Sequence, residues 1–302
     1  MQPNPSRTDR ISCPPQQLSE ADRTASAARH FLERLRAGDT PLQVPSAAIV
    51  AAHPDDEVIG AGGQLSRLRA LTLLHVTDGA PRNMRDAAAG GFETRQAYAR
   101  ARRGELEQAL ALAGIAPQQT DRIGIADQEA AFHLAELALT LAERLDRICP
   151  DIVVTHPYEG GHPDHDSTAF AVHGACDLLK RRNGVSPAIV EMASYHMRDG
   201  TIAALEFLPN GDHDIVLLPL TDAQQCLKRR MIACFASQAA MLTRFPPDRE
   251  PFRPAPTYDF RRPPHAGRLF YELFDWGMTG ARWRALAGTA LASLQSGRAT
   301  CR

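Results

Sequence analysis

The sequence predicts an α/β protein in which a mostly parallel sheet carries helices on both faces, extended by C-terminal strands and helices. Short apolar runs alternate with longer segments whose apolar residues recur at helical spacing. The segments between the runs are long enough for the crossover helices that parallel strands require. Two clusters of histidine and carboxylate follow two of the apolar runs, and ligands bind such sheets beyond the carboxyl ends of the strands.

Four strands are predicted in the first part of the chain, because each is a short apolar run of the length typical of a buried strand. They span residues 47–50, 71–76, 122–125 and 152–155. Helices are predicted where apolar residues fall on one face, as Phe31, Leu32 and Leu35 do in the first helix, and where a glycine such as Gly114 follows the last turn. The predicted helices span residues 25–37, 57–68, 94–113, 129–148 and 167–182.

The pattern changes after about residue 186. Strands are predicted over 189–195 and 215–220, and Thr221 is expected to cap a helix that ends near Gln238. Residues 245–265 are rich in proline and arginine and are expected to form a surface loop before a final helix over 279–294. We expect residues 1–22 to be a disordered tail. Residues 23–302 are expected to form one domain, with a core over about 46–240 and an extension over 241–302.

Composition excludes several classes of partner. The formal net charge is -1, which gives no electrostatic basis for binding nucleic acid or an anionic membrane. The sequence has no apolar run long enough to span a bilayer and no signal peptide, so we expect a cytoplasmic protein. Its six cysteines are scattered and form no Cys-x-x-Cys pair, which argues against a zinc–cysteine site.

Two short clusters combine imidazole and carboxylate side chains. The first, His53-Pro54-Asp55-Asp56-Glu57, follows the first predicted strand, and the second, His162-Pro163-Asp164-His165-Asp166, follows the fourth. Burying so much charge costs free energy unless a partner compensates it, and a divalent metal ion suits these groups. A single His-Pro-Asp often marks only a turn or helix start, but two such clusters at two strand ends predict one metal site.

The proline in each cluster predicts that a helix begins at the motif. Residues three apart on a helix share a face, so His53 and Asp56 can reach one ion, with His165 as the third ligand. Three protein ligands with one open position are typical of catalytic zinc, so we expect one Zn²⁺ per chain. Fe²⁺ is an alternative, because these ligand types discriminate the two ions poorly.

The other side chains of the clusters suggest catalytic roles. Asp55 is not needed as a ligand and is expected to be the general base that takes a proton from water whose pKa the metal lowers. His162 is expected to be either a general acid or a stabiliser of the oxyanion. Asp164 is expected to hold the ring of His162 in one tautomer.

The two motifs resemble those of the PIG-L/LmbE family of zinc-dependent N-deacetylases. The resemblance runs from about residue 49 to 238 and includes weaker matches at Thr77-Asp78-Gly79, Arg103-x-Glu105, Asp127 and Ser237-Gln238. It implies a Rossmann-like sheet and removal of acetyl groups from N-acetylglucosamine-type amides. It also implies the metal ligands and the base inferred above, with His162 assisting the transition state.

The resemblance suggests substrate contacts as well. Arg82 and Asp127 lie in segments that often contact substrate in that family. In some members a tyrosine two residues before the first histidine of the second motif polarises the amide. That position is Gly160 here, so Tyr158 is the nearest candidate for this role.

Four functions are therefore compared. The first is a zinc hydrolase that deacetylates a small N-acyl substrate, most simply an N-acetylated sugar, and the second is a deacylase of a non-sugar amide such as an antibiotic. The third is a phosphoesterase, which often needs two metals, whereas the motifs supply ligands for one. The fourth is a carbohydrate-binding or scaffold protein without activity, which predicts a missing base or ligand. The sequence leaves open whether the chain forms a homo-oligomer.

Overall fold

The computed structural model describes residues 20–38, 46–209 and 214–296 of the 302-residue chain. Within them, one sheet has seven strands in the order β3-β2-β1-β4-β5-β9-β8, and β6 pairs with β7 in a separate hairpin. Strands β1 to β5 run parallel, and β9 and β8 continue the sheet antiparallel, which confirms the predicted fold class. The strands are β1 Ala47–Ala51, β2 Leu71–Pro81, β3 Thr120–Asp127, β4 Ile152–Thr155, β5 Ala188–Met192, β6 Tyr195–Arg198, β7 Thr201–Ala204, β8 Val216–Pro219 and β9 Arg249–Pro254.

Helices cover both faces of the sheet. Ala47, Ile49 and Ala51 of β1 belong to one apolar core with α1, α2, α4 and α7, whereas Ala48 and Val50 belong to a second core with α5, α6 and α9. This alternation is the period-two pattern of a strand that is buried on both faces. The helices are α1 Glu20–Ala37, α2 Asp56–Ala61, α3 Arg85–Ala89, α4 Arg95–Leu112, α5 Leu134–Ile148, α6 Pro163–Asn183, α7 Asp222–Ile232, α8 Ala239–Leu242 and α9 Gly280–Ser296.

The strand order changes direction at β1, and this change creates the position of the site. Strand β1 pairs with β2 on one side and with β4 on the other. The connections that leave the carboxyl ends of β1 and β4 therefore diverge and open a crevice between them, as in other open α/β sheets. Helices α2 and α6, which carry the two motifs, both begin at this crevice.

The main error of the sequence prediction lies in the C-terminal extension. Residues 245–265 were expected to form a loop, but β9 lies within them and is inserted between β5 and β8. Its two prolines, Pro251 and Pro254, cannot donate hydrogen bonds and so hide the strand pattern, although Phe252 and Arg253 are buried. The helix expected to reach Gln238 ends at Ile232 and is followed by a short 3₁₀ turn and α8.

Several boundaries also differ. Strand β2 continues to Pro81, beyond the predicted end at Val76, and the helix predicted over 57–68 ends at Ala61. Helix α1 begins at Glu20, while residues 1–19 of the predicted disordered tail lie outside the described residues. No helix in the described ranges combines the length and the apolar composition that a membrane span requires.

Candidate metal centre

The first motif forms the turn between β1 and α2. Asp55 has φ of 153°, a backbone conformation that costs a residue other than glycine about 1–3 kcal/mol and that is found most often at functional sites. The backbone N–H of His53 donates to Oδ2 of Asp56 at 2.7 Å, which fixes the turn. The motif is buried, with Asp56 only 4% exposed. The fold therefore maintains a strained, charged turn in its interior.

The second motif begins α6. His162 is the N-cap residue, and its Nδ1 accepts a hydrogen bond from the backbone N–H of Asp164 at 3.1 Å. Pro163 occupies the first helical position, as its missing N–H allows. His165 follows one turn later, so its ring lies near that of His53, with 5.1 Å between the ring centroids.

The three predicted metal ligands converge on one point. Nδ1 of His53 lies 3.2 Å from Nε2 of His165, and Nε2 of His165 lies 3.2 Å from Oδ1 of Asp56. Nδ1 of His53 is also 3.3 Å from Oδ2 of Asp56. Tetrahedral zinc with bonds of about 2.0–2.1 Å places its ligand atoms about 3.3 Å apart. The spacing of these atoms therefore fits a single tetrahedral divalent ion.

Each ligand ring has a polar partner on its far side. Nε2 of His53 lies 3.2 Å from Oδ1 of Asp127 and 3.3 Å from Oδ2 of Asp164, while Nδ1 of His165 lies 3.3 Å from Oγ of Ser194. Such outer partners fix the tautomer of a ligating histidine and direct its other nitrogen toward the metal. The second nitrogen of each ring is thus left to face the shared point.

The structure corrects the role predicted for Asp164. Its carboxylate accepts hydrogen bonds from the backbone N–H groups of Gln128, at 2.6 Å, and Ala130, at 3.1 Å, and it faces His53. It lies 4.0 Å from Nδ1 of His162, beyond hydrogen-bonding distance, because the backbone N–H of Asp164 already occupies that nitrogen. The side chain of Asp164 therefore orients His53 rather than His162.

A second group of potential ligand atoms shares His53 with the first and adds Asp127, His162 and Asp164. For both groups to hold ions, the imidazole of His53 would have to lose both ring protons. No more than one of the two groups is therefore expected to hold an ion, and the first group consists of the three ligands predicted from the sequence.

Asp55 faces the centre without joining the triad. Its Oδ2 accepts a hydrogen bond from the buried guanidinium of Arg102 at 3.0 Å, and Arg102 also donates to the carbonyl oxygens of Gly79 and Pro54. Burial raises the pKa of Asp55 to about 7, although the charge of Arg102 opposes the shift. No role for Arg102 was predicted from the sequence. Its neighbour Arg103, which belongs to the weaker match, is exposed and pairs with Glu107.

His162 is a neutral hydrogen-bond donor. Burial, reinforced by the neighbouring His53, holds the pKa of His162 well below its usual value. Because Nδ1 accepts the backbone hydrogen bond of the N-cap, the proton of the neutral ring is on Nε2. That nitrogen faces the side of the centre where Asp127 lies, 3.8 Å from its Oδ1.

The centre holds more buried negative charge than its one buried arginine, Arg102, compensates. The pKa of His53 is well above its usual value: burial works against its charged form, but Asp127, Asp164 and Asp56 outweigh that effect. Burial likewise lowers the pKa of His165, to about 4, so its ring is neutral and available as a ligand. The field that would attract a proton to His53 would equally attract a divalent cation.

His156 belongs to this centre but was not identified from the sequence. It follows β4 directly, and its Nε2 accepts from the backbone N–H of Ala52 at 3.0 Å and lies 3.3 Å from Oδ2 of Asp56. Its ring stacks on that of His165, with 4.1 Å between centroids. His156 could have been identified from the sequence as a third histidine at a strand end, six residues before His162.

Two of the predicted substrate contacts do not line the pocket at the centre. Arg82 is exposed and pairs with Glu129 at 2.6 Å. Tyr158 is buried against Trp283, and its hydroxyl donates to the carbonyl oxygen of Arg262 at 2.9 Å. Asp127, the third candidate, does line the pocket. The tyrosine that lines it is Tyr195, whose ring lies 5.3 Å from that of His165.

The pocket has a volume of about 340 Å³ and a lining of two unlike kinds. The polar part consists of motif residues with Asp127 and Arg102, and the apolar part includes Met241, Phe245 and a cluster of aromatic side chains. A larger cavity of about 590 Å³ lies between α4 and β3 but contains none of the three metal ligands.

Comparisons with known proteins match the part of the chain that contains both motifs. The sequence model of the family described as PIG-L, GlcNAc-PI de-N-acetylase, matches residues 48–176, which include both motifs. The chain is 30% identical over 176 residues to a probable N-acetyl-alpha-D-glucosaminyl L-malate deacetylase 2 of Bacillus subtilis (strain 168). That alignment covers 56% of this chain and 73% of the relative.

Two solved structures share the fold. The A40926 pseudoaglycone deacetylase has a TM-score of 0.53 at 18% identity, over 70% of this chain and 96% of that one. The N,N'-diacetylchitobiose deacetylase from Pyrococcus horikoshii has a TM-score of 0.50 at 20% identity, over 79% of this chain and 94% of that one.

Proposed function

This chain belongs to the PIG-L family, and from that premise we propose that it is a zinc-dependent deacetylase of an N-acetylated amine. One observation carries the proposal: His53, Asp56 and His165 converge at 3.2–3.3 Å, while Asp55 beside them stays outside the triad. This is the arrangement of a metal hydrolase with a separate base. The relative in Bacillus subtilis, by its name a deacetylase of an N-acetylglucosaminyl compound, supports an N-acetylglucosamine-type substrate.

The metal would be held by one carboxylate and two imidazoles. That ligand set suits zinc, and it would also accept Fe²⁺. When bound, the ion supplies Lewis acidity that polarises a carbonyl oxygen and lowers the pKa of water to about 7. The contacts of His53 with Asp127 and Asp164, and of His165 with Ser194, keep the ligand nitrogens in place for it.

Asp55 acts as the general base. A base works best when its pKa lies near the working pH, and burial brings the pKa of Asp55 to about 7. Arg102 holds the carboxylate in position through the 3.0 Å hydrogen bond. Asp55 lines the pocket beside the triad without belonging to it, so its carboxylate is placed to take a proton from water.

His162 donates a hydrogen bond to the oxyanion that develops on the amide carbonyl. Its neutral ring carries the proton on Nε2, toward the pocket, and a preorganised donor of this kind is typically worth a factor of about 10²–10³ in rate. This favours the oxyanion role over the role of general acid, because the low pKa of His162 leaves little imidazolium at neutral pH.

The test is acetate release from N-acetylglucosamine-type amides by protein reconstituted with zinc. Asp55→Asn should retain one zinc per chain, measured by elemental analysis. Its kcat should fall by a factor of about 10²–10⁴, the typical contribution of a general base. Asp248→Asn, at an exposed carboxylate paired with Arg249, is the matched control and should keep both metal and activity. Full activity of Asp55→Asn would contradict the role of the base, and two tightly bound metals per chain would favour a phosphoesterase instead.

A further inference from the structure

The apolar wall of the pocket is a continuous series of aromatic rings, which we name the aromatic arc and define as Tyr195, Phe270, Phe274 and Trp276. Successive ring centroids are 5.5 Å, 5.3 Å and 4.6 Å apart along this series, and the last pair is stacked with 14° between the ring planes. All four side chains line the pocket.

Both ends of the aromatic arc contact the metal centre. At one end Tyr195 lies 5.3 Å from the ring of His165, and at the other Trp276 lies 4.9 Å from the ring of His162. The arc therefore borders the same space as the metal centre. Phe274 is 41% exposed, so the Trp276 end of the arc opens to solvent at the mouth of the pocket.

The arc offers few hydrogen-bond partners to a hydroxyl-rich group. Its only polar atoms are the hydroxyl of Tyr195 and the indole nitrogen of Trp276. A hexose can pack the C–H face of its ring on one aromatic side chain, but hydroxyl groups that faced the rest of the arc would lose water without regaining hydrogen bonds. A planar apolar group would bury area at no such cost and would gain about 0.5–1.5 kcal/mol more for each well-placed ring pair.

The size of the arc identifies which half of the substrate covers it. If the acyl group is acetyl, as the proposed function holds, its single methyl group cannot cover four rings. The remaining part of the pocket must receive the amine half. Three of the four rings come from residues 270–276, and all four lie beyond the 48–176 match to the family, so the arc is not part of the common catalytic core.

We infer that the amine half of the substrate carries an aromatic or similarly flat apolar group that packs against the stacked pair Phe274 and Trp276. This inference rests on the proposed deacetylase function. It narrows the substrate class to N-acetylated amines with an aromatic substituent, such as aryl glycosides of N-acetylglucosamine, and away from free N-acetyl sugars.

The experiment compares two substrates that differ only in the aglycone, 4-nitrophenyl and methyl N-acetyl-β-D-glucosaminide, with amine release as the readout. For the zinc enzyme we expect kcat/KM for the aryl glycoside to exceed that for the methyl glycoside by about tenfold or more. Trp276→Ala and Phe274→Ala should bring this ratio close to one. Phe274→Leu, which keeps apolar volume without a ring, should give an intermediate ratio.

Leu273→Ala is the matched control, because Leu273 is 44% exposed in the same segment but does not line the pocket. It should leave the ratio unchanged. A wild-type ratio near one, or a high ratio that survives Trp276→Ala, would overturn the inference and leave the deacetylase proposal intact. The N-butanoyl analogue tests whether the acyl group covers the arc instead. A rate that rises with the length of the acyl group, and does not depend on the aglycone, would also overturn the inference.

If the proposed function is wrong, zinc-loaded protein will release no amine from either glycoside, and this result is distinct from those above. Calorimetric titration of both glycosides into the wild-type protein then decides the inference without turnover. Tighter binding of the aryl glycoside, lost in Trp276→Ala, would support it, and equal binding would contradict it.

Discussion

The metal centre and a second buried cluster, between α2, α7 and β9, both contain charged side chains in the interior, but these charges are compensated in different ways. In this ion-pair cluster, Nζ of the fully buried Lys228 donates to Oε1 of Glu250 at 2.8 Å and to the carbonyl oxygen of Ile59 at 2.7 Å. Glu250 also accepts from the backbone N–H of Gly63 at 2.7 Å and from Nε2 of Gln64 at 3.1 Å. Every charge there is compensated by the protein itself.

The metal centre lacks that compensation. Four carboxylates, those of Asp55, Asp56, Asp127 and Asp164, are buried there. Two arginines are among the described residues that line the pocket, but Arg244 is exposed and only Arg102 is buried with the carboxylates. Since uncompensated buried charge is costly, the fold tolerates it where a ligand completes the set. The difference separates a structural charge cluster from a functional one: the first is complete without a ligand and the second is not.

The largest effect should follow from breaking the ion-pair cluster. Lys228→Met leaves Glu250 buried without its cation, and removal of one partner of a buried pair typically costs about 3–5 kcal/mol. We expect a loss of this size in the free energy of unfolding, measured in urea, and the same loss with and without zinc.

Lys180→Met is the control for this change, because Lys180 is the other lysine of the chain and is exposed. Its cost should stay within about 0.5 kcal/mol, as for most surface substitutions. Equal costs for the two variants, or a cost at Lys228 that zinc abolishes, would mean that the ion-pair cluster is not self-sufficient.

The metal centre should respond in the opposite manner, by gaining stability from a ligand. Zinc at one hundred times its dissociation constant should raise the free energy of unfolding of the metal-free protein by about 2.7 kcal/mol. His165→Ala removes one of three ligands and should abolish the increase, whereas His133→Ala, at an exposed histidine, should retain it. A zinc response that persists in His165→Ala would show that the ion binds elsewhere.

The sequence predicted the part of the molecule in which neighbours along the chain determine the geometry. Strand β4 has the predicted limits, Ile152–Thr155, and Pro163 begins α6 as expected. That His53, Asp56 and His165 lie close together follows from the rule that carboxyl ends of parallel strands meet at one edge. The expected helix spacing of His53 and Asp56 is not observed, because α2 begins only at Asp56 and His53 precedes it. These inferences needed no knowledge of distant packing.

The sequence did not predict contacts that depend on distant packing. Arg102 and Arg103 are adjacent, but a step of one residue turns a helix by about 100°, and only Arg102 faces Asp55. The weak match at Glu105 has a clear contact in the structure, because its carboxylate accepts hydrogen bonds from the backbone N–H and the hydroxyl of Ser237. The aromatic arc was missed because residues 270–276 reach the pocket only through the fold of the C-terminal extension.

Asp166 is a third kind of buried acidic group, one that is neutral in the folded protein. Its predicted effect on stability is the smallest of those considered. Its Oδ1 accepts from the backbone N–H groups of Glu159 and Gly160, its Oδ2 has no hydrogen-bond partner in the described part of the chain, and burial raises its pKa to about 8. It therefore stays protonated at neutral pH and needs neither an ion pair nor a metal.

This assignment predicts the sign of a pH effect. Between the ordinary aspartate pKa of about 3.9 and about 8, the folded protein holds a proton that the unfolded chain has released, so stability falls as the pH rises through this window. From pH 6 to pH 8 the loss from this one group should be about 2 kcal/mol. Asp166→Asn imitates the protonated acid and cannot ionise. From pH 6 to pH 8 its free energy of unfolding should therefore fall by about 2 kcal/mol less than that of the wild-type protein. Parallel urea denaturation curves for the two proteins at both pH values measure the difference, and identical pH dependence would mean that Asp166 is ionised in the folded protein.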